Sequence, residues 1–358
     1  MQRAFLVVNL AAILVLSAVA VAPGRAASKD AARAAESFNA MERYLYDRRS
    51  GDYRERVGAP AGTHAWPFSQ ALAANISIAR LSRLSVRAPV RARLATLERR
   101  FRSAAAYVAW PHGDLYLDDN EWLAEDFLDW SDLTGDRLAR ARAAAIFSAV
   151  VDAWDDAATH PCAGGVFWTT SPANRDRNTV STANGALVGL RLYAATKQAR
   201  YLSWSKRMLA WLDRCMLGPD GLYADHIALD GTVDGAEWSY NQGSVIGADV
   251  LLYELTGDTS ALARAEQVAD AALVHFAGRW SNAEPAEFAA IFFRNLLALA
   301  AADGRANYVA AAEGYGDTAW RTARNARTGL FAFSGKTRLL EQAALVQLYA
   351  ALAVTGGR

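Results

Sequence analysis

Residues 251–276 read LLYELTGDTSALARAEQVADAALVHF. An apolar run ends at Thr256-Gly257-Asp258. A second run follows in which Leu262, Ala265, Ala269 and Phe276 stand three, four and seven apart. That spacing lays one apolar stripe along a helix. A glycine after the first run suits a left-handed helix end, and the aspartate behind it suits the cap of the next helix. The stretch is a helical hairpin. Its layout recurs in residues 127–154, FLDWSDLTGDRLARARAAAIFSAVVDAW, where Leu138, Ala141, Ala145 and Ala149 supply the stripe. It recurs again in 190–212, LRLYAATKQARYLSWSKRMLAWL, with Thr196-Lys197-Gln198 in place of Thr-Gly-Asp. A weaker copy, LLALAAADGRANYVAAAEGYGDTAW, covers 296–320.

The turns at Gly135, Lys197, Gly257 and Gly304 return roughly every 50 to 60 residues, which divides the chain into about six hairpins, or twelve helices. Open solenoids repeat in shorter units with little between them. Here the segments between hairpins are long, polar and aromatic: WPHGDLYLDDNEW, HPCAGGVFWTTSPANRDRNTVSTANG and GPDGLYADHIALDGTVDGAEWSYNQGS. Loops of that length usually carry function. The expected fold is all-α, six helical hairpins closed into a toroid with the long loops at one rim. No charge block or low-complexity linker divides residues 27–358, which are expected to form a single domain.

The bulk properties exclude some partners. Of 358 residues, 53% are hydrophobic and 21% charged, the balance of a globular chain. A net charge of +1 leaves no basic stripe of the kind nucleic acid requires. The 11 Trp and 13 Tyr suit sugar rings as well as a large core. Cys162 and Cys215 either pair in an oxidising compartment or serve as small buried residues, and sequence spacing does not decide between these. With no cluster of Cys or His at ligand spacing, no zinc site is expected.

The N-terminus, MQRAFLVVNLAAILVLSAVAVAPGRAASKD, has Arg3 ahead of an apolar run broken only by Asn9 and Ser17. Small residues follow, offering cleavage after Ala20 or Ala26. That is the layout of a secretory signal over residues 1–26. The competing reading is an uncleaved anchor, because the run approaches the roughly 20 residues that span a bilayer. Both readings put the rest of the chain outside the cytoplasm, secreted or periplasmic.

The chemistry centres on LYLDDNEWLAEDFLDW, residues 115–130, where Asp118 and Asp119 are adjacent, with Tyr116 and Trp122 as aromatic neighbours and no basic residue in the stretch. Asp118 and Glu121 match a capping box, which accounts for one carboxylate. A calcium loop does not fit, because the donors lack the alternation and turn glycine of an EF-hand. Capping leaves the second aspartate unexplained. Retaining cleavage of a glycosidic bond needs two carboxyl groups only about 5 to 5.5 Å apart, one attacking the anomeric carbon and one protonating the leaving oxygen. Proximity also separates their pKa values, so that one is ionised while its neighbour keeps a proton. Further loops offer matching parts: Trp168 as a stacking face with Asn174 and Asn178 as hydroxyl partners, then Tyr223 and Asp225, then Tyr240, Asn241 and Gln242 at a helix start. A lone His226 reads as structural, and no Ser or Cys nucleophile constellation accompanies it.

These residues resemble glycoside hydrolase family 76, the bacterial endo-α-1,6-mannanases. The resemblance rests on YLDDNEW, on GGVFWTTSPANRDRNTVSTANGALVGLRLY, on GLYADHI, on YNQGSVIGADVLLYELTGD and on EFAAIFFRNLLAL, in family order from about residue 60 to 350. It implies an (α/α)6 barrel and retaining cleavage of internal α-1,6-mannosidic bonds. Asp118 would be the nucleophile, Asp119 the general acid/base, and Asp225 a sugar-hydroxyl ligand beside the point of cleavage. It also implies an α-mannan or other mannose-containing polysaccharide as partner, no metal or organic cofactor, and neither nucleic acid nor lasting membrane insertion. A monomer is expected. Two family lysines are missing, at Ala173 before Asn174 and within Phe288-Ala289-Ala290, and this bears on subsite affinity. The alternatives are a cell-wall transglycosylase acting on α-mannan and a non-catalytic mannan-binding barrel. A sugar epimerase would show paired histidines as proton shuttles, and the five His here form no such pair.

If the signal is cleaved, N-terminal sequencing of exported protein should find Val21 or Ala27 first. Met1 on membrane-bound material would establish the anchor instead.

Overall fold

The computed structural model describes residues 29–356 apart from 83–86, 281–282 and 334, so the signal-like segment lies outside the described residues. The helices are α1 (Lys29–Leu45), α2 (Ala65–Ser82), α3 (Arg87–Arg100), α4 (Leu117–Thr134), α5 (Arg137–Asp152), α6 (Thr179–Thr196), α7 (Ala199–Cys215), α8 (Ser239–Thr256), α9 (Thr259–His275), α10 (Ala286–Asp303), α11 (Ala306–Thr322) and α12 (Leu339–Thr355). The even-numbered helices pack in a closed inner ring, each against the next and α12 back against α2. The odd-numbered helices cover them from outside. Inner helices are buried nearly all round, as in α12, while outer helices such as α7 bury one stripe. This is the (α/α)6 barrel. Five hairpins run consecutively along the chain, and the sixth joins α12 to α1, its two helices at opposite ends of the described chain. Among the described residues no helix is long and apolar enough to cross a membrane.

The turn chemistry follows the sequence. Gly135, Gly257 and Gly304 end α4, α8 and α10 at φ 77°, 74° and 78°, and Lys197 takes the same left-handed region at φ 58° without being glycine. Asp136 caps α5 by accepting from the Leu138 and Ala139 amides, and Asp258 caps α9 through Ser260. In α9 the expected stripe is largely right, with Ala265, Ala269 and Phe276 buried. In α5 it is wrong. Leu138 is 63% exposed, and the buried face is Ala139, Ala143, Ile146, Phe147 and Val150. Alanine marks no face by itself, so the larger Ile, Phe and Val decide which side turns inward. The open question about the cysteines is resolved as well. Cys162 and Cys215 form a disulfide, Cα to Cα 6.1 Å, tying the loop after α5 to the end of α7.

The inner helices all start at one rim, where the long loops gather. Four of them hold the loop in front of them with the fourth helical residue. Asn120 in α4 pairs with both the N–H and the C=O of Tyr107, and also donates to the Tyr116 carbonyl at the helix cap. Gln242 in α8 does the same with Tyr223 and Trp238, and Gln342 in α12 with Phe331 and Arg338. In α6, Thr182 accepts from Val166 and donates to Asn178. A carboxamide presents one acceptor and two donors, which satisfies loop backbone groups left free by the short bridges between Arg102 and Tyr107, Leu217 and Tyr223, and Arg324 and Phe331.

Gln342→Leu would leave both groups of Phe331 unpaired, at about 1–3 kcal/mol each, so a loss of about 2–6 kcal/mol is expected on chemical denaturation. Leu138→Lys, on the outward side of α5, should stay within about 0.5 kcal/mol. A similar small loss for Gln342→Leu would show that the loop does not depend on the amide.

Candidate active site

Asp118 and Asp119 occupy the first turn of α4 as half-buried side chains at the rim. The expected capping box is absent. The cap is Tyr116, with no side-chain bond to the helix, and Asp118 accepts from the amide of Asp119 at 3.0 Å. Glu121 is fully buried one turn below, and neither of its oxygens has a partner. The helix thus starts two residues earlier than a capping reading requires, so neither aspartate is the cap, although Asp118 still accepts from one first-turn amide.

The loop after α5 brings Trp168 to this point. Its carbonyl accepts from the Leu117 amide at 2.8 Å, and its ring meets Tyr116 edge-on at 4.9 Å. Tyr116 in turn stands 6.2 Å from Trp110, which is 41% exposed. An aromatic row therefore leads out from the carboxylates on one side. A second aromatic group centres on Phe288, on which Tyr240 stacks at 4.0 Å, with Trp66 and Trp238 around the same phenyl ring. Buried Trp122, Val180 and Ile291 form a small apolar floor, separate from the main core, against which Trp66 and Tyr240 pack.

Electrostatics join the pieces. Burial raises the Asp118 carboxyl to about 6; Trp168 and nearby backbone amides pull it down, and Asp225 pushes it up. Asp119 is raised well above the ordinary range by burial and then by Asp118. The α4 N-terminus favours anions by up to ~2 kcal/mol, but burial wins here. Tyr240 is also raised, by burial and then by Asp225 and Asp118, so the three groups are near enough for their charges to act on one another. Asp225 accepts from Asn241 at 3.1 Å and lies 3.0 Å from His226.

Several expected ligands sit elsewhere. Tyr223 is fully buried with its hydroxyl donating to Asp213, and Gln242 is fully buried with its amide on the Tyr223 backbone. Asn178 caps α6 through Val180. The Asn174 side chain accepts from the Asp176 amide and shapes its own loop. Trp122 lies beneath the cleft as floor. The sequence reading missed Phe288, Trp66 and Trp110, and set aside His226. For His226 the signal was there, since it follows Asp225 directly. Among the described residues no three His, Cys, Asp or Glu side chains converge as a metal site.

Two rings of helices, with adjacent carboxyl groups and aromatic side chains where α4 begins, define an (α/α)6 barrel. The family model for glycosyl hydrolase family 76 matches residues 28–329, and the chain belongs to that family. It is 30% identical over 145 residues to a mannan endo-1,6-α-mannosidase of Saccharomyces cerevisiae, covering 37% of this chain and 31% of that protein. To the enzyme of that name from Candida glabrata it is 31% identical over 124 residues, covering 32% and 27%. The chain thus spans under a third of the length of the curated relatives it matches. A family 76 mannosidase of Bacteroides thetaiotaomicron superposes with TM-score 0.82 at 21% identity, over 92% of this chain and 99% of that one. The α-1,6-mannanase of Salegentibacter sp. gives 0.81 at 22%, over 91% and 99%. An inactive variant of that mannanase, changed at two adjacent aspartates, is solved in complex with α-1,6-mannotriose. At such identities the superpositions establish the fold.

The face of α4 below the site continues with acidic groups. Burial raises Glu121 and Asp126 well above the usual range and Glu125 to about 7. Groups raised on folding contribute full stability below the unfolded carboxyl range and lose it as pH passes their folded values, here through about 6 for Asp118 and about 7 for Glu125. Asp129 opposes them: burial is outweighed by Arg191 and Arg80, and it ends lowered. The thermal midpoint is therefore expected to fall between pH 5 and pH 8, with Glu125→Gln flattening the slope. A midpoint that rises across that window would overturn this reading.

Proposed function

We propose that the protein is a retaining glycoside hydrolase that cleaves internal α-1,6-mannosidic bonds of mannan, with Asp118 as nucleophile and Asp119 as general acid/base. The observation that carries the proposal is the adjacent carboxyl pair in the first turn of α4, at the rim beside Trp168 and Tyr116, both raised by burial and Asp119 pushed up further by Asp118. Adjacent like charges favour one ionised and one protonated carboxyl, which is the division of labour retention needs. The two adjacent aspartates changed in the inactive Salegentibacter variant support the same reading.

In the first step a carboxylate oxygen of Asp118 bonds to the anomeric carbon as the C–O bond to the leaving sugar breaks. The Asp119 proton passes to that leaving oxygen. Water then enters, gives its proton to Asp119 and attacks the same carbon, which breaks the ester to Asp118 and restores both groups. Two inversions leave the α configuration unchanged. Trp168, Tyr116 and Tyr240 offer faces for the sugars, and Asp225 accepts from a sugar hydroxyl beside the reacting carbon. The aromatic groups beside the pair suit a chain bound along its length, which favours internal cleavage. No cofactor takes part in this scheme. The substrate is a polymer, so the export expected from the N-terminal layout would place residues 27–358 where they meet it, as a monomeric catalytic domain.

Incubation with α-1,6-mannan should release shortened oligosaccharides, resolved by chromatography. Asp118→Ala should be inactive on every substrate. Asp119→Ala should lose about 10²- to 10⁴-fold on mannan yet form the glycosyl intermediate from an aryl mannoside with an acidic leaving group. Azide should then yield an α-mannosyl azide from Asp119→Ala. The reverse pattern would exchange the two roles, and near-normal activity in both variants would remove the pair from catalysis.

A further inference from the structure

Asp225 stands in the loop between α7 and α8 beside Asp118, whose carboxyl it pushes up. Like charges so placed turn away from each other unless something holds them. Both oxygens of Asp225 are held. Oδ1 accepts from Asn241 Nδ2 at 3.1 Å, and Oδ2 meets His226 Nδ1 at 3.0 Å. The Asn241 amide must present its NH2 group here, because an ionised carboxylate only accepts. That leaves Asn241 Oδ1 buried without a partner, at a desolvation cost. The fold bears this cost at a residue whose NH2 group serves Asp225.

His226 is fixed from behind. It lies in β6 (His226–Ile227), between β5 (Arg177–Asn178) and β7 (Val233–Asp234), opposite Asn178 on one side and Asp234 on the other. Arg177 secures this small sheet. It is fully buried, and its guanidinium reaches the Asp155 carboxylate and the Pro161, Ile227 and Ala228 carbonyls. The imidazole Nε2 faces Asp176 Oδ2 at 3.9 Å, beyond a hydrogen bond but near enough for charge to act. The ring therefore has its Nδ1 side set toward Asp225 before any ligand arrives.

We propose that His226 is a positioning residue of the mannan site, acting through Asp225, whose carboxylate it and Asn241 lock toward the sugar hydroxyls beside Asp118. This rests on the proposed glycosidase reading and assigns His226 no contact with substrate. A double-substitution cycle on α-1,6-mannan, with thermal midpoints measured in parallel, tests it. H226A should lower kcat/KM about 10- to 100-fold, the scale of a misplaced substrate contact. H226N, whose amide nitrogen can stand where Nδ1 stands, should recover most of that loss at an unchanged midpoint. D225A should fall at least as far as H226A, and D225A/H226A no further than D225A alone. Multiplying losses in the double variant would mean that His226 acts independently, by its own substrate contact or otherwise, and would overturn the proposal. So would an H226N protein as impaired as H226A. If the wild-type protein cleaves no mannan, the functional reading fails by itself, and the same cycle is then read on calorimetric binding of α-1,6-mannotriose. A wild-type protein that binds none overturns both.

Discussion

The architecture depends on satisfying loop backbone at the rim where six inner helices begin. Long irregular segments are buried there with few strands to pair with, and each unpaired N–H or C=O would cost as much as a good contact contributes. Asn120, Thr182, Gln242 and Gln342 meet that constraint from one structural position, the fourth residue of an inner helix. In α2 and α10 the equivalent residues, Phe68 and Ala289, are apolar. At the start of α2 the Ala65 amide instead donates to the Ala109 carbonyl, in the loop before α4. The device is therefore used at four loops, and three of these carry Trp168, Asp225 or the approach to Asp118.

Electrostatically the barrel runs against ordinary practice. One face of α4 carries Asp118, Glu121, Glu125 and Asp129, three and four residues apart, into the protein interior. Only the last is held low by arginines, Arg191 at 2.7 Å and Arg80 at 2.8 Å. Those nearer the rim are raised by burial, with Glu121 lacking any hydrogen-bond partner. Carboxyl groups that keep protons at neutral pH are poor material for stability and good material for acid catalysis. Along this single helix the carboxyl groups change from one paired with arginines at the far end to ones raised by burial toward the rim, which matches the division between scaffold and site.

Much of this was legible in residues and some was not. Thr-Gly-Asp between apolar runs identified the hairpins because left-handed caps and N-caps are local chemistry. The pairing of α1 with α12 was invisible, since no local pattern joins helices at opposite ends of the chain. Alanine-rich α5 misled the register at Leu138. Asp118 and Asp119 stood out because two adjacent carboxylates exceed what a cap requires. Gln242, Asn178 and Tyr223 were misread for a shared reason: an amide or phenol that suits a sugar hydroxyl suits a backbone carbonyl or an aspartate equally well, and only coordinates distinguish them. Phe288 was passed over because a phenyl group beside alanines reads as core, whereas here it backs Tyr240.

The closing of the ring by α1 and α12 has a consequence for how the molecule forms. Every other hairpin can fold on itself as soon as both of its helices exist, at low entropic cost. α1 must wait for a partner at the far end of the described chain, so the apolar stripe of Ala34, Met41 and Leu45 lacks its main cover until α12 arrives. The closing of the ring is then the docking of α1 on α12, and the seam between them is where an incomplete barrel would expose its core to proteases or to other chains.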